Sequence, residues 1–163
     1  VVLLIETPLA VKNLSLLAES NHVVGIALGG ADLSASLGSD MSWDALLYTR
    51  SRIVIEGSIN NLFTIDGPFM SISSIDELKQ ESMLASKMGF NGKAAIHPSQ
   101  IESILEAFLP TKKEIEEAKE ILEAFNATPE GAVALKGKMI DLPVVKSMER
   151  RLRLAGIDPD DFR

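Results

Sequence analysis

Two carboxylates carry the first chemical signal in this sequence. Val1-Val2-Leu3-Leu4-Ile5 runs directly into Glu6, and Val23-Val24-Gly25-Ile26-Ala27-Leu28 runs through Gly29-Gly30-Ala31 into Asp32. Uninterrupted apolar runs of this kind read as strands buried on both faces of a parallel sheet. Ligands of α/β folds collect at the C-terminal edge of such strands. Two hard oxygen donors with room for water and a chelating substrate suit Mg2+ better than zinc. The chain has no cysteine and only His22 and His97, which argues further against zinc. Each acid can equally cap the helix that follows it.

Other residues at strand ends extend the list. The backbone N–H groups of Gly29-Gly30-Ala31 can approach and hold a substrate carboxylate, or can form no more than a tight turn. Asp66 in Asp66-Gly67-Pro68 is a third strand-end acid, or a turn former. His97 before Pro98 can be a substrate ligand, a base, or a structural hydrogen bond to its own loop. Lys93 lies near the start of a strand, away from the expected reaction face, which disfavours it as a Schiff-base lysine. Asp141 opens the last helix in Gly137-Lys138-Met139-Ile140-Asp141-Leu142-Pro143, where an N-cap role explains it locally.

The elements that must position these residues alternate. Helical spacing covers 8–20, and 33–40 reads as a polar loop with Gly38. Ser42 caps a helix over 43–56 that Gly57 ends. A short strand over 62–65 follows. Ser74-Ile75-Asp76-Glu77 reads as a capping box for a helix to Met88. A fourth strand covers 93–96, and 99–108 is helical. Thr111 to Glu114 caps a helix to about Phe125, 127–137 reads as a loop, and a last helix covers 142–155 with Val144, Val145, Met148, Leu152 and Ala155 on its apolar face. This β-α alternation means a parallel sheet, and four such units are half of a (β/α)8 barrel, which needs about 250 residues.

Composition narrows the class. The 163 residues carry a formal net charge of -7, and the cluster Arg150, Arg151, Arg153 reads as a solvated helix face, so no nucleic-acid partner is expected. No apolar run is long enough to span a membrane and no signal-peptide pattern opens the chain, so no membrane partner is expected either. Absence of cysteine fits a reducing, cytoplasmic setting. The chain opens at Val1 inside an apparent buried strand, from which upstream sequence or a partner is expected to supply the neighbouring strands.

Five segments in order, LLIETPLAVKNL (3–14), IALGGADLSASLG (26–38), FTIDGPF (63–69), GFNGKAAIHPSQI (89–101) and GKMIDLPVVKSMER (137–150), resemble the citrate lyase β-subunit-like branch of the HpcH/HpaI aldolase and citrate lyase superfamily. The resemblance implies a TIM barrel, with this chain covering the C-terminal half over 1–126, and a C-terminal helical extension over 127–163 that reaches a neighbouring subunit of a trimer. It implies Mg2+ held by Glu6 and Asp32, a 2-oxo acid carboxylate held by backbone N–H groups of Gly30, Ala31 and Asp32, and Asp141 acting in trans as acid/base. The implied reaction makes or breaks a carbon-carbon bond in a 3-hydroxyacyl thioester of coenzyme A or of an acyl-carrier protein. The other expectations are an aldolase on free 2-oxo acids, which the GKMID segment disfavours, and a non-catalytic half-barrel that needs a partner. Relatives carry an N-terminal half with an Arg that contacts substrate, so the chain alone is not expected to be competent. Ser36 and Met70-Ser71 stand where many relatives have an acid, which leaves the substrate open.

Overall fold

The computed structural model describes residues 1–128 and 132–162. Part of the loop expected over 127–137 lies outside them. The chain divides into two compact units, Val1–Phe108 and Leu109–Arg163.

The first unit is built on four parallel strands, β1 (Val2–Ile5), β2 (Gly25–Leu28), β3 (Phe63–Asp66) and β4 (Gly92–Lys93), which lie side by side in chain order. Helices α1 (Pro8–Lys12) and α2 (Leu14–Ala18) connect the first pair. Helices α3 (Gly30–Leu37) and α4 (Trp43–Asn60) connect the second, and α5 (Ile75–Met88) the third. After β4, a 3-10 turn over Pro98–Gln100 runs into α6 (Ile101–Phe108).

Several local expectations shift. The single helix over 8–20 is two, divided at Asn13. The polar loop after Asp32 is helical as far as Leu37, and Gly38 ends it in the left-handed region at φ 69°. Gly57 does not end α4. A Cβ there would lie 2.2 Å from Thr64 Cγ2, so this glycine lets the helix approach β3 closely. Asn61 makes the turn instead, at φ 53°. Ser74 forms no capping box: its hydroxyl accepts a hydrogen bond from Ser71 Oγ at 2.9 Å and none from a helix N–H.

Strand alternation divides the sheet into two unlike faces. Ile5, Ile26, Leu28, Thr64 and Asp66 share the helix-covered face and are buried with Leu14, Leu33, Leu46, Ile53 and Leu78. Val2, Leu4 and Phe63 share the other face and are 50%, 55% and 52% exposed. The expected burial on both faces therefore holds for one. The strands are apolar on both sides, but the chain's own helices cover only the first.

The second unit has its own core. Helix α7 (Lys112–Asn126) opens with the expected capping box, in which Thr111 Oγ1 accepts from Glu114 N and Glu114 accepts from Thr111 N. Strands β5 (Val133–Leu135) and β6 (Lys138–Ile140) form an antiparallel hairpin where a loop was expected. Lys136 and Gly137 make its two-residue turn with φ of 50° and 77°. Helix α8 (Leu142–Leu154) lays Val145, Met148 and Leu152 against Ala118, Ile121 and Leu122. Helix α7 thus shares a core with the C-terminal segment, and the structural division falls at 108/109 rather than 126/127. Among the described residues no helix is long and apolar enough to cross a membrane.

Candidate functional site

The register of the sheet explains which strand-end residues meet. Ile5 pairs with Leu28, and Ala27 pairs with Ile65. One step further along, Glu6, Gly29 and Gly67 stand at one level. Glu6 has the parity of Val2 and Leu4, which turns it to the uncovered face. It lies directly over Gly29. A Cβ on Gly29 would fall 2.6 Å from Glu6 Cβ and 3.3 Å from Glu6 Oε2. Only glycine leaves room here for the Glu6 Cβ.

Asp32 comes next through α3. Gly29 is the N-cap of that helix and Asp32 lies in its first turn. The N–H groups of Gly30, Ala31 and Asp32 open the helix and have no intrahelical acceptor. The positive end of the helix favours an anion there. Gly29 N donates to Ile5 O at 2.9 Å, which ties the turn to β1, and Leu33 N donates to Gly29 O at 3.1 Å, which closes the first turn of α3. Ser34 Oγ donates to Asp40 O at 2.9 Å and closes the far end of the same helix.

Neither acid is spent on capping. The cap of α1 is Thr7, whose Oγ1 accepts from Ala10 N at 3.1 Å, and α3 has no side-chain cap. Among the described residues, no hydrogen bond or ion pair to the Glu6 or Asp32 carboxylate is formed, and no group of three or more His, Cys, Asp and Glu could hold a metal. What exists is a pair of unengaged hard-oxygen donors beside an amide-lined helix start. That donor set fits a hard divalent cation that keeps open positions for water or substrate.

Asp66 behaves differently, and parity is the reason. It stands one residue before the level of Glu6, so its side chain turns into the helix layer. There it is fully buried. Arg50 Nε donates to Asp66 Oδ1 at 2.8 Å, and Lys93 Nζ donates to Asp66 Oδ2 at 2.7 Å. Lys93 Nζ also reaches Glu81 Oε1 at 2.6 Å, and Arg50 stacks 4.3 Å from the Trp43 ring centroid. Asp66 is neither a free third ligand nor a simple turn former. With every N–H of Lys93 engaged, its ammonium is not a free nucleophile.

His97 is exposed and carries a loop role. Its Nδ1 accepts from Ser99 N at 3.2 Å and caps the turn over Pro98–Gln100. With Nδ1 as acceptor, the neutral ring carries its proton on Nε2. Gln100, fully buried, fixes the surrounding loops: it accepts from Ile96 N at 2.9 Å and donates to Phe69 O at 2.9 Å. Asp141 lies in the second unit, half-buried, as the N-cap of α8, with Oδ1 accepting from Val144 N at 3.3 Å.

Arg50, Glu81 and Gln100 were missed from sequence. For Arg50 a signal existed: it falls among Leu46, Thr49, Ile53 and Gly57 on the inward stripe of α4, and a cation on such a stripe calls for a buried counter-ion.

Residues 1–98 match the family model HpcH/HpaI aldolase/citrate lyase. The chain is 32% identical over 165 residues to the mitochondrial citramalyl-CoA lyase of Rattus norvegicus, covering 93% of this chain and 49% of that protein. It is 35% identical over 147 residues to citrate lyase subunit beta of Haemophilus influenzae, covering 86% of this chain and 50% of that one. A crystal structure of CitE from Mycobacterium tuberculosis in complex with magnesium, acetoacetate and coenzyme A superposes with a TM-score of 0.80 at 30% identity, over 94% of this chain and 60% of that one. The chain thus spans about half the length of the curated relatives it matches.

Proposed function

This chain belongs to the HpcH/HpaI aldolase/citrate lyase family, and from that premise we propose that it carries the metal half-site of a Mg2+-dependent carbon-carbon lyase acting on a 3-hydroxyacyl thioester. The substrate class is citryl-, malyl- or citramalyl-like, and the products are an acyl thioester and a 2-oxo acid. One observation carries the reading: Glu6 lies against Gly29 at a strand-end edge, Asp32 lies in the first turn of the helix that Gly29 opens, and among the described residues neither carboxylate has a hydrogen-bond or ion-pair partner. The magnesium in the Mycobacterium tuberculosis complex supports the choice of ion, and its coenzyme A supports coenzyme A over a carrier protein as the acyl carrier.

Glu6 and Asp32 would supply two oxygen ligands to Mg2+. When bound, the ion contributes Lewis-acid polarisation of the 2-oxo acid carbonyl. The amides of Gly30, Ala31 and Asp32 hold the 2-oxo acid carboxylate at the start of α3. His97, with its proton on Nε2, would donate to a substrate oxygen. Asp141 acts in the site of a neighbouring subunit of a trimer. In the cleavage direction the Asp141 carboxylate takes the hydroxyl proton, the oxygen's electrons form the new carbonyl, and the carbon-carbon bond opens to the enolate of the acyl thioester. The protonated Asp141 then returns that proton to the enolate carbon. A cytoplasmic setting belongs to this reading, with the mitochondrial rat relative as the competing precedent.

A second reading has its own observation. The uncovered apolar face of Val2, Leu4 and Phe63 supports a half-barrel whose activity depends on a complementary set of strands. Calorimetry with Mg2+, with and without oxaloacetate, on this chain and on a Glu6→Gln, Asp32→Asn double variant separates the two. Binding that is strengthened by oxaloacetate and lost in the variant is expected. A folded parent that binds no Mg2+ would overturn the metal half-site.

A further inference from the structure

Lys93 is the second residue of β4, and its side chain has no exposure to solvent. Its ammonium carries three N–H donors and meets three oxygens: Asp66 Oδ2 at 2.7 Å, Glu81 Oε1 at 2.6 Å and Gly67 O at 2.7 Å. The two carboxylates balance charge, together with Arg50. The third contact does not. It fixes a main-chain carbonyl at the residue level with Glu6 and Gly29 in the register.

Gly67 in turn faces the turn that opens α3. A Cβ on Gly67 would lie 3.1 Å from Leu28 O and 3.7 Å from Gly30 N. Gly67 thus stands beside residues 28–30, level with Gly29 in the register, and a side chain there would press on that turn. We infer that Lys93 is a positioning residue for the proposed site: through the Gly67 carbonyl it holds the turn that presents Asp32 and the open amides of α3. This rests on the reading of Glu6 and Asp32 given above. A lysine suits the task because its tetrahedral ammonium can serve a carbonyl and two carboxylates at once. The planar guanidinium fork of arginine cannot direct its donors in that way.

The test is residue-resolved amide exchange by NMR on the whole chain, in the parent, in Lys93→Met, and in the double variant Asp66→Asn, Lys93→Met. The double variant removes one cation and one anion together, so it keeps the buried layer neutral if the single variant fails to fold. The reporters are the amides of Gly29, bonded to Ile5 O, and Leu33, bonded to Gly29 O. The controls are Leu62, bonded to Gly57 O, and Phe63, bonded to Val24 O at the opposite end of the same strands. The expected result is exchange at Gly29 and Leu33 that is faster by roughly tenfold, with Leu62 and Phe63 unchanged. Parallel acceleration of all four, no acceleration, or loss of folding in the double variant would each overturn the inference, because Lys93 would then serve the unit and not the turn. Calorimetry with Mg2+ on the same variants should show affinity lower by about tenfold. Unchanged affinity in a locally loosened variant would break the link to the site. A parent that binds no Mg2+ would defeat the metal reading alone, and the exchange pattern would still decide the role of Lys93.

Discussion

At the residue scale the site depends on one missing side chain. Gly29→Ala would place a methyl group 2.6 Å from Glu6 Cβ, so Glu6 must move. The expected result is a loss of about 1–3 kcal/mol in urea denaturation, as for other overpacked positions. Mg2+ affinity in calorimetry should also fall by about tenfold or more. The buried ion cluster makes a different prediction. Arg50→Met leaves the Asp66 carboxylate, which has no solvent exposure, with one partner fewer, and removal of one member of a buried pair costs about 3–5 kcal/mol. A loss below about 1 kcal/mol would show that Lys93 alone satisfies Asp66. Glu6 and Asp32 could be picked out from sequence because each follows an apolar run, and a run that stops in a charge marks a strand end. Asp66 follows a similar run and was misjudged. Its fate depends on sheet register, which shifts it one residue relative to Glu6, and register is not written in any one strand.

At the element scale, the parts easiest to read were those with a local cause. The box Thr111/Glu114 formed where expected. The Thr111 backbone amide, and next its hydroxyl, hold Glu114 below the ordinary carboxylate range. A folded-state pKa below the unfolded one stabilises the fold above the unfolded value, and that contribution is lost as pH falls through the folded one. Glu114→Gln should therefore lower the urea midpoint at pH 7, and the gap from the parent should close as pH drops below the lowered Glu114 pKa. A gap that persists unchanged in acid would refute the ionic part of the cap. Helix α3 and the β5–β6 hairpin were missed for opposite reasons. Residues 33–40 look like a loop because three serines, Gly38 and Asp40 fall there, yet Leu33 is fully buried and anchors a helical turn. The hairpin turn puts Lys136 at positive φ, a conformation that lysine does not advertise.

At the scale of the molecule, the four-strand sheet presents apolar residues to solvent on one face. The chain spans about half the length of the curated relatives it matches. Leu4→Glu is thus expected to change the stability of this chain by no more than about 0.5 kcal/mol, as at other exposed positions. A loss several-fold larger in urea denaturation would mean that Leu4 is already covered in solution. The parallel sheet was legible in sequence because β-α alternation alone dictates parallel pairing. The division at 108/109 was not, because Ala118, Ile121 and Leu122 show only that α7 is amphipathic and not which core receives them.

The sheet order repeats the chain order, β1 to β4, with no strand inserted between neighbours. Each crossover can dock on a strand already made, so pairing can proceed in the order of synthesis without waiting for a distant segment. The same arrangement makes the block heritable as a piece. Whole βα units can be gained or lost at either edge by duplication or fusion, and every pairing inside the block survives the event.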